Sequence, residues 1–95
     1  MKVVITGSVT IDADKIGSIT EAGSRFQELC RAEEGCVDYT LSWDCAGGGV
    51  LRLYEEWESA ETSAAHARQP HVAEWTPLVG AAAVAPPNFV RHEIG

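Results

Sequence analysis

Four stretches of this chain alternate apolar and polar side chains with a period of two, and one long stretch between the first and second repeats every three to four residues instead. In residues 3–11 the alternating set is Val3, Ile5, Gly7, Val9 and Ile11. That pattern reads as a strand with one buried face, and the glycine on that face leaves room for another group to approach the backbone closely. Residues 36–44 place Val37, Tyr39, Leu41 and Trp43 on one side, with Cys36, Asp38, Thr40 and Ser42 on the other. Residues 50–58 form a third strand, with Leu51, Leu53, Glu55 and Trp57 on one face and Val50, Arg52, Tyr54 and Glu56 on the other. In the last, Asn88–Ile94, Phe89, Arg91 and Glu93 alternate with Val90, His92 and Ile94.

The helical period carries Ile16, Ile19, Gly23, Phe26 and Cys30 along one stripe. This predicts an amphipathic helix, preceded by Asp12 and Asp14 as candidate caps, running to about Glu33 and ended by Gly35. The triplet Gly47-Gly48-Gly49 supplies the positive-φ residues of a hairpin between the second and third strands. Ser59 caps a second helical region with Glu61 in its first turn, and Pro70 falls where that region can break and restart. Residues 81–87, alanines and then Pro86-Pro87, read as a connector too short to separate a domain. Strand, helix, strand, strand, helix, strand is a single α+β domain over residues 1–95. Two split βαβ units make it ferredoxin-like, a four-stranded antiparallel sheet with the helices on one face.

Such a sheet must hide or wet its second face, and a chain of 95 residues has a marginal core. Trp43, Tyr54 and Phe89 cannot all lie under the helices if alternation holds. Burying about 500 Å² more apolar surface against a partner is worth about 12 kcal/mol before association costs, so a homodimer packed through the open sheet faces is expected. Fourteen acidic residues against seven basic ones leave a net charge of −7, which argues against nucleic acid or an anionic membrane as a partner. No apolar run reaches the length of a membrane span, and the first residues lack the pattern of a secretory signal. The expected location is cytoplasmic. Cys30, Cys36 and Cys45 are odd in number and match no zinc or redox spacing, so free thiols are expected.

No phosphate-binding glycine loop, nucleophile elbow or His-Glu-x-x-His is present. His66 and His71 are five apart, about 140° around a regular helix, and converge only if the helix breaks near Pro70. As a metal motif that spacing is poor, and no metal is expected. The densest set of reactive side chains is Tyr54-Glu55-Glu56-Trp57 followed by His66 and Pro70-His71. If the Glu55 face meets the helices, Glu55 is partly desolvated and its pKa raised, and His66 lies on the helix above it. A Glu55–His66 pair either ties helix to sheet or moves a proton near neutral pH. Trp43, Trp57 and Trp75 are expected in the core, and His92 on the surface or in a dimer contact.

Together Glu34-Gly35-Cys36 with Tyr39 three residues on, Glu55-x-Trp57-Glu58-Ser59, His66 and Pro70-His71 resemble the antibiotic biosynthesis monooxygenase family, particularly its quinol-monooxygenase-like members. The resemblance spans most of the chain. It implies a dimeric α+β barrel, a small hydrophobic pocket between sheet and helices, and oxidation of a small aromatic, quinol or polyketide-like substrate by O2 with no metal or flavin cofactor. On that basis His66 is the expected base, Glu55 its orienting group, and Trp57, Tyr39 and His71 the pocket lining. A haem-degrading branch carries an asparagine on the first strand and a tryptophan on the second helix. Here Gly7, Ser8 and His66 stand in those regions, which disfavours haem degradation. The alternative is a non-catalytic dimer that binds a small apolar ligand or serves as an accessory protein.

Overall fold

The computed structural model describes residues 1–95. Strand β1 is Lys2–Thr10, helix α1 Ile16–Arg31, β2 Cys36–Trp43 and β3 Val50–Trp57, followed by α2 Ala60–His66, α3 Pro70–Ala82 and β4 Asn88–Ile94. All pairings are antiparallel, in the order β2-β3-β1-β4, the α+β ferredoxin-like fold. Boundaries move by a residue or two from those the periodicity suggests. Ile11 leaves the strand but still bridges to Ala83. Asp12 caps a single 3₁₀ turn, accepting from the Asp14 backbone N–H at 3.0 Å, rather than the long helix itself.

The expected break at Pro70 is real. Proline has no N–H to donate and tolerates the first helical position, so α2 stops at His66 and α3 restarts at Pro70. Ser59 forms a reciprocal capping box with Thr62 at the start of α2. Helix α3 also absorbs part of the alanine stretch expected as connector, reaching Ala82.

One strand departs from plain alternation. The pairing of β2 with β3 shifts between Cys36 and Asp38, and Val37 sits at that irregularity 50% exposed. The extra residue of a bulge reverses the parity of everything before it. Cys36 therefore lies opposite Trp57 and packs against the core, not on the open face with Thr40 and Ser42 as strict alternation requires. Edge strand β2 is covered by α1: the Gln27 side-chain oxygen accepts from the Leu41 N–H at 2.8 Å, and Arg31 Nε donates to the Tyr39 carbonyl at 2.8 Å. These contacts satisfy edge groups that would otherwise offer themselves to another chain.

The core has two parts under the helices. One gathers Val3, Phe26, Cys30, Tyr39 and Trp57; the other gathers Val9, Ile11, Ile19, Leu51 and Ala82. Trp75 packs against both, its ring stacked on Phe26 at 4.8 Å, and Trp43 is partly buried against the second. On the far edge β4 is exposed along its whole length. Phe89 lies over Gly7, where a β-carbon would collide with its ring, so the close approach anticipated for that glycine is made by a phenyl ring. Register puts Phe89 and Trp43 on the helix side and leaves Tyr54 on the open side. His92, paired with Val4, is exposed there too. No helix is long and apolar enough to cross a membrane.

Candidate functional site

Because α1 and α3 do not cover β4, a cavity of about 960 Å³ opens between the helices and the β1–β4 side of the sheet. Its walls are mostly apolar, with Ile5, Phe26, Leu53, Trp75, Val79 and Phe89 among them, and its polar groups include Tyr39, Glu55, His66 and Arg91. Strand register explains why these converge. Tyr39 pairs with Glu55, Glu55 with Ile5, and Ile5 with Arg91. Directly paired residues share a sheet face, so the four form one row across the sheet. With neighbouring strands about 4.8 Å apart, Glu55 and Arg91 flank Ile5 at a backbone separation of roughly 10 Å.

His66 ends α2 directly above this row, with its side chain 10% exposed. Its Nε2 stands 4.0 Å from Glu55 Oε1, too far for a hydrogen bond. The group that holds the imidazole is Glu33, not Glu55. Nδ1 of His66 donates to Glu33 Oε2 at 2.8 Å, and Nε2 of His71 donates to the same oxygen at 2.7 Å. A carboxylate only accepts, so the nitrogens that face it carry the protons. In the neutral ring of His66 the proton is then on Nδ1, with the Nε2 lone pair turned away from Glu33. The orienting role assigned to Glu55 passes to Glu33 because α1 ends at Arg31 and Gly35 turns the chain back at φ +80°. A β-carbon on Gly35 would run into Thr62, so this glycine lets the chain after α1 dock on the start of α2 and brings Glu33 under both imidazoles.

Glu55 has a different task. It accepts from Trp57 Nε1 at 2.8 Å and is 5% exposed. Burial raises its pKa, opposed by the Trp57 hydrogen bond and by His66, while Glu33 raises it further. Its proton therefore comes off less readily than that of an ordinary carboxyl group. Burial also pushes the Tyr39 hydroxyl far up, with Glu55 the next cause, so Tyr39 is a neutral phenol at physiological pH. Trp57 is fully buried and, like His71, stands behind the cavity wall instead of in it. Each supports a carboxylate, Trp57 that of Glu55 and His71 that of Glu33. Tyr39, Glu55 and His66 do line the cavity.

Glu33 was missed in the sequence because no periodicity points to it. One signal was available: an acidic residue at a helix C-terminus opposes the helix dipole, and such local conflicts gather at functional places.

A sequence model described as antibiotic biosynthesis monooxygenase matches residues 2–77. Solved structures with the same fold include Rv0793 from Mycobacterium tuberculosis, 22% identical with a TM-score of 0.90, covering 99% of this chain and 95% of that one. A conserved protein from Methanosarcina mazei Go1 is 20% identical with a TM-score of 0.90, covering 97% and 91%. A third is a conserved protein of unknown function from Bacteroides thetaiotaomicron VPI-5482, described as a possible oxidoreductase. It is 22% identical with a TM-score of 0.89, covering 98% and 97%. A search of the curated proteins finds no match.

Proposed function

The chain belongs to the antibiotic biosynthesis monooxygenase family, and on that premise we propose that it is a cofactor-independent monooxygenase for a small aromatic, quinol or polyketide-like substrate. The observation that supports this reading is the His66 imidazole, fixed through Nδ1 by Glu33 while lining a largely apolar cavity. A base in a water-poor site can take a proton from a phenol or an activated C–H. The resulting anion is electron-rich enough to reduce O2, so the substrate supplies the reducing power. For an activated CH2 group the atoms balance without another reductant: one oxygen atom turns CH2 into C=O, and the other leaves as water with the two hydrogens.

In this reading His66 Nε2 receives the proton, and the Glu55 carboxylate, 4.0 Å away, stabilises the imidazolium that forms. The stacked Phe26 and Trp75 rings form part of the apolar wall against which a flat substrate packs, and Arg91 faces an acidic substituent. Tyr39 closes the Glu55 end as a neutral hydroxyl. Trp57 and His71 are positioning residues. We also place a second copy of the chain on the open sheet face, where Val90 and Ile94 are 49% and 52% exposed and a hollow of about 440 Å³ is lined by Thr6, Ser8, Thr40, Arg52 and Tyr54 among others. Free thiols suit a reducing compartment, so the reading includes a cytoplasmic location.

The test is oxygen uptake by chelator-treated protein with a panel of hydroquinones and anthrones. The reading expects turnover that falls roughly 10²–10⁴-fold in His66→Ala. Tight binding with no uptake across the panel would support a non-catalytic ligand-binding dimer instead. Light scattering on the eluting protein reads the oligomeric state, and a monomer at micromolar concentration would sink the dimer.

A further inference from the structure

We propose that Cys30, Glu33, His66 and His71 form a site for a tetrahedrally coordinated divalent transition-metal ion, and that zinc is the ion their chemistry fits. The site itself does not depend on the oxygenase reading. Cys30 lies in the last turn of α1, Glu33 just beyond it, His66 at the end of α2 and His71 at the start of α3. One donor atom from each lies within 4.8 Å of the other three. The break at Pro70 brings together two imidazoles that a continuous helix would hold on different sides.

Distances permit the closure. Donors around tetrahedral zinc, bound at 2.0–2.3 Å, sit roughly 3.3–3.8 Å apart. No pair therefore contracts by more than about 1.5 Å, and the two short Glu33–imidazole contacts open by roughly half an ångström. The cluster as it stands is a carboxylate that accepts an N–H from each imidazole at 2.8 and 2.7 Å, with the Cys30 thiol within 4.8 Å. Each proton in that cluster is one that a metal ion displaces when it binds. Hydrogen bonding alone is the plainer reading of the pairs taken one by one. It does not explain why a soft sulfur ligand completes a tetrad of mutually close donors.

Ligand type selects the ion. One thiolate, one carboxylate and two imidazoles suit a borderline ion such as zinc and offer too few oxygens for calcium or magnesium. Two anionic ligands neutralise the 2+ charge, which matters where Cys30 is fully buried and His66 8% exposed. An outer-shell partner stands nearby. His66 turns its other nitrogen toward Glu55, which Trp57 holds, at 4.0 Å; closing that gap by roughly 1 Å on binding gives the carboxylate–histidine–metal arrangement that fixes a ligating imidazole. With the ion on Nδ1, His66 carries its proton on Nε2 and can no longer accept one. This last consequence rests on the oxygenase reading: zinc switches the base off.

The test is titration of chelator-treated, full-length protein with Zn2+, and with Co2+ as a spectroscopic stand-in. The proposal expects one equivalent bound, proton release, a raised Tm, and a Co2+ spectrum with tetrahedral d–d bands and a thiolate charge-transfer band. Cys30→Ser removes the charge-transfer band, whereas Cys36→Ser and Cys45→Ser keep it. Glu55→Gln removes the negative charge that faces the His66 Nε2–H of the metal-bound ring and weakens binding by up to about tenfold. Cys30 lies in the core, so His71→Gln, changed at a side chain 14% exposed, is the second variant; it keeps the far-UV circular dichroism and weakens Co2+ binding roughly tenfold or more. Absence of stoichiometric Co2+ uptake by folded protein overturns the site, as does a charge-transfer band that survives Cys30→Ser. Oxygen uptake by the metal-free protein is read separately: a Co2+ spectrum without uptake keeps the metal site and removes the oxygenase, and uptake without metal binding does the reverse.

Discussion

Replacing Glu33 with alanine removes the acceptor shared by His66 and His71, and the structure sets the size of the effect. A hydrogen bond to a charged group contributes about 1.5–3 kcal/mol, and Glu33 makes two, at 2.8 and 2.7 Å, with its own side chain 9% exposed. The imidazoles regain some water in the hole left behind, so the lower end applies and Glu33→Ala should lose about 3 kcal/mol. For a domain of this size each kcal/mol moves Tm by about 4–8 °C, giving a fall of more than about 10 °C. Glu33→Gln keeps one amide oxygen in place as a neutral acceptor and should lose only about 1 kcal/mol. Urea unfolding at pH 7 in the presence of chelator measures both variants. An unchanged m-value shows that stability alone has moved. If Glu33→Ala unfolds within about 1 kcal/mol of the parent, the two contacts are incidental and Glu33 does not organise the site.

Three further outcomes follow from the same geometry. Burial raises the Glu55 pKa in the folded state, so the native protein binds the proton more tightly than the unfolded chain, and stability falls as pH rises through the folded value. Glu55→Gln, which keeps an acceptor for Trp57 Nε1, should therefore be more stable than the parent at neutral pH and lose less stability above the ordinary carboxylate range; a less stable variant at pH 7 refutes this. The Cys36 thiol is pushed up to about 11, first by burial and then by Glu33 and Asp38, and burial pushes Cys30 higher still. Iodoacetamide at pH 8 followed by peptide mass spectrometry should label the exposed Cys45 well before Cys36, with Cys30 labelled only on unfolding, and equal labelling rates would contradict the burial. Arg91→Ala should raise KM for substrates that carry a carboxylate and leave neutral analogues nearly unchanged, whereas a uniform loss of kcat would give Arg91 a different role.

Strands β1 to β3 and the long helix were legible because each buries one face, and a single buried face imposes its period on the residues; β4, exposed along its length, shows only the weaker alternation of an edge strand. Ser59 and Pro70 were legible because capping and the missing proline N–H are local effects. The bulge at Val37 was not, since Val37 continues the apolar alternation and only the pairing with β3 shows it. For the site, Glu55, His66 and Tyr39 could be placed together because strand period and helix order bring them to one face. The partnership of Glu33 with His66 joins residues 33 positions apart and depends on how Gly35 docks against Thr62, a contact that no spacing rule encodes. His71 and Trp57 were recognised as part of the site, but which side of the cavity wall each occupies is decided by packing.

The most direct measurement is long-range ¹H–¹⁵N NMR of the three histidine side chains in chelator-treated protein at neutral pH, which reports the protonated nitrogen of each ring. Glu33 holding the array predicts His66 protonated on Nδ1 with Nε2 free, and His71 protonated on Nε2. A neutral His66 carrying its proton on Nε2 would mean that Glu33 does not set the ring, and that no base faces the cavity.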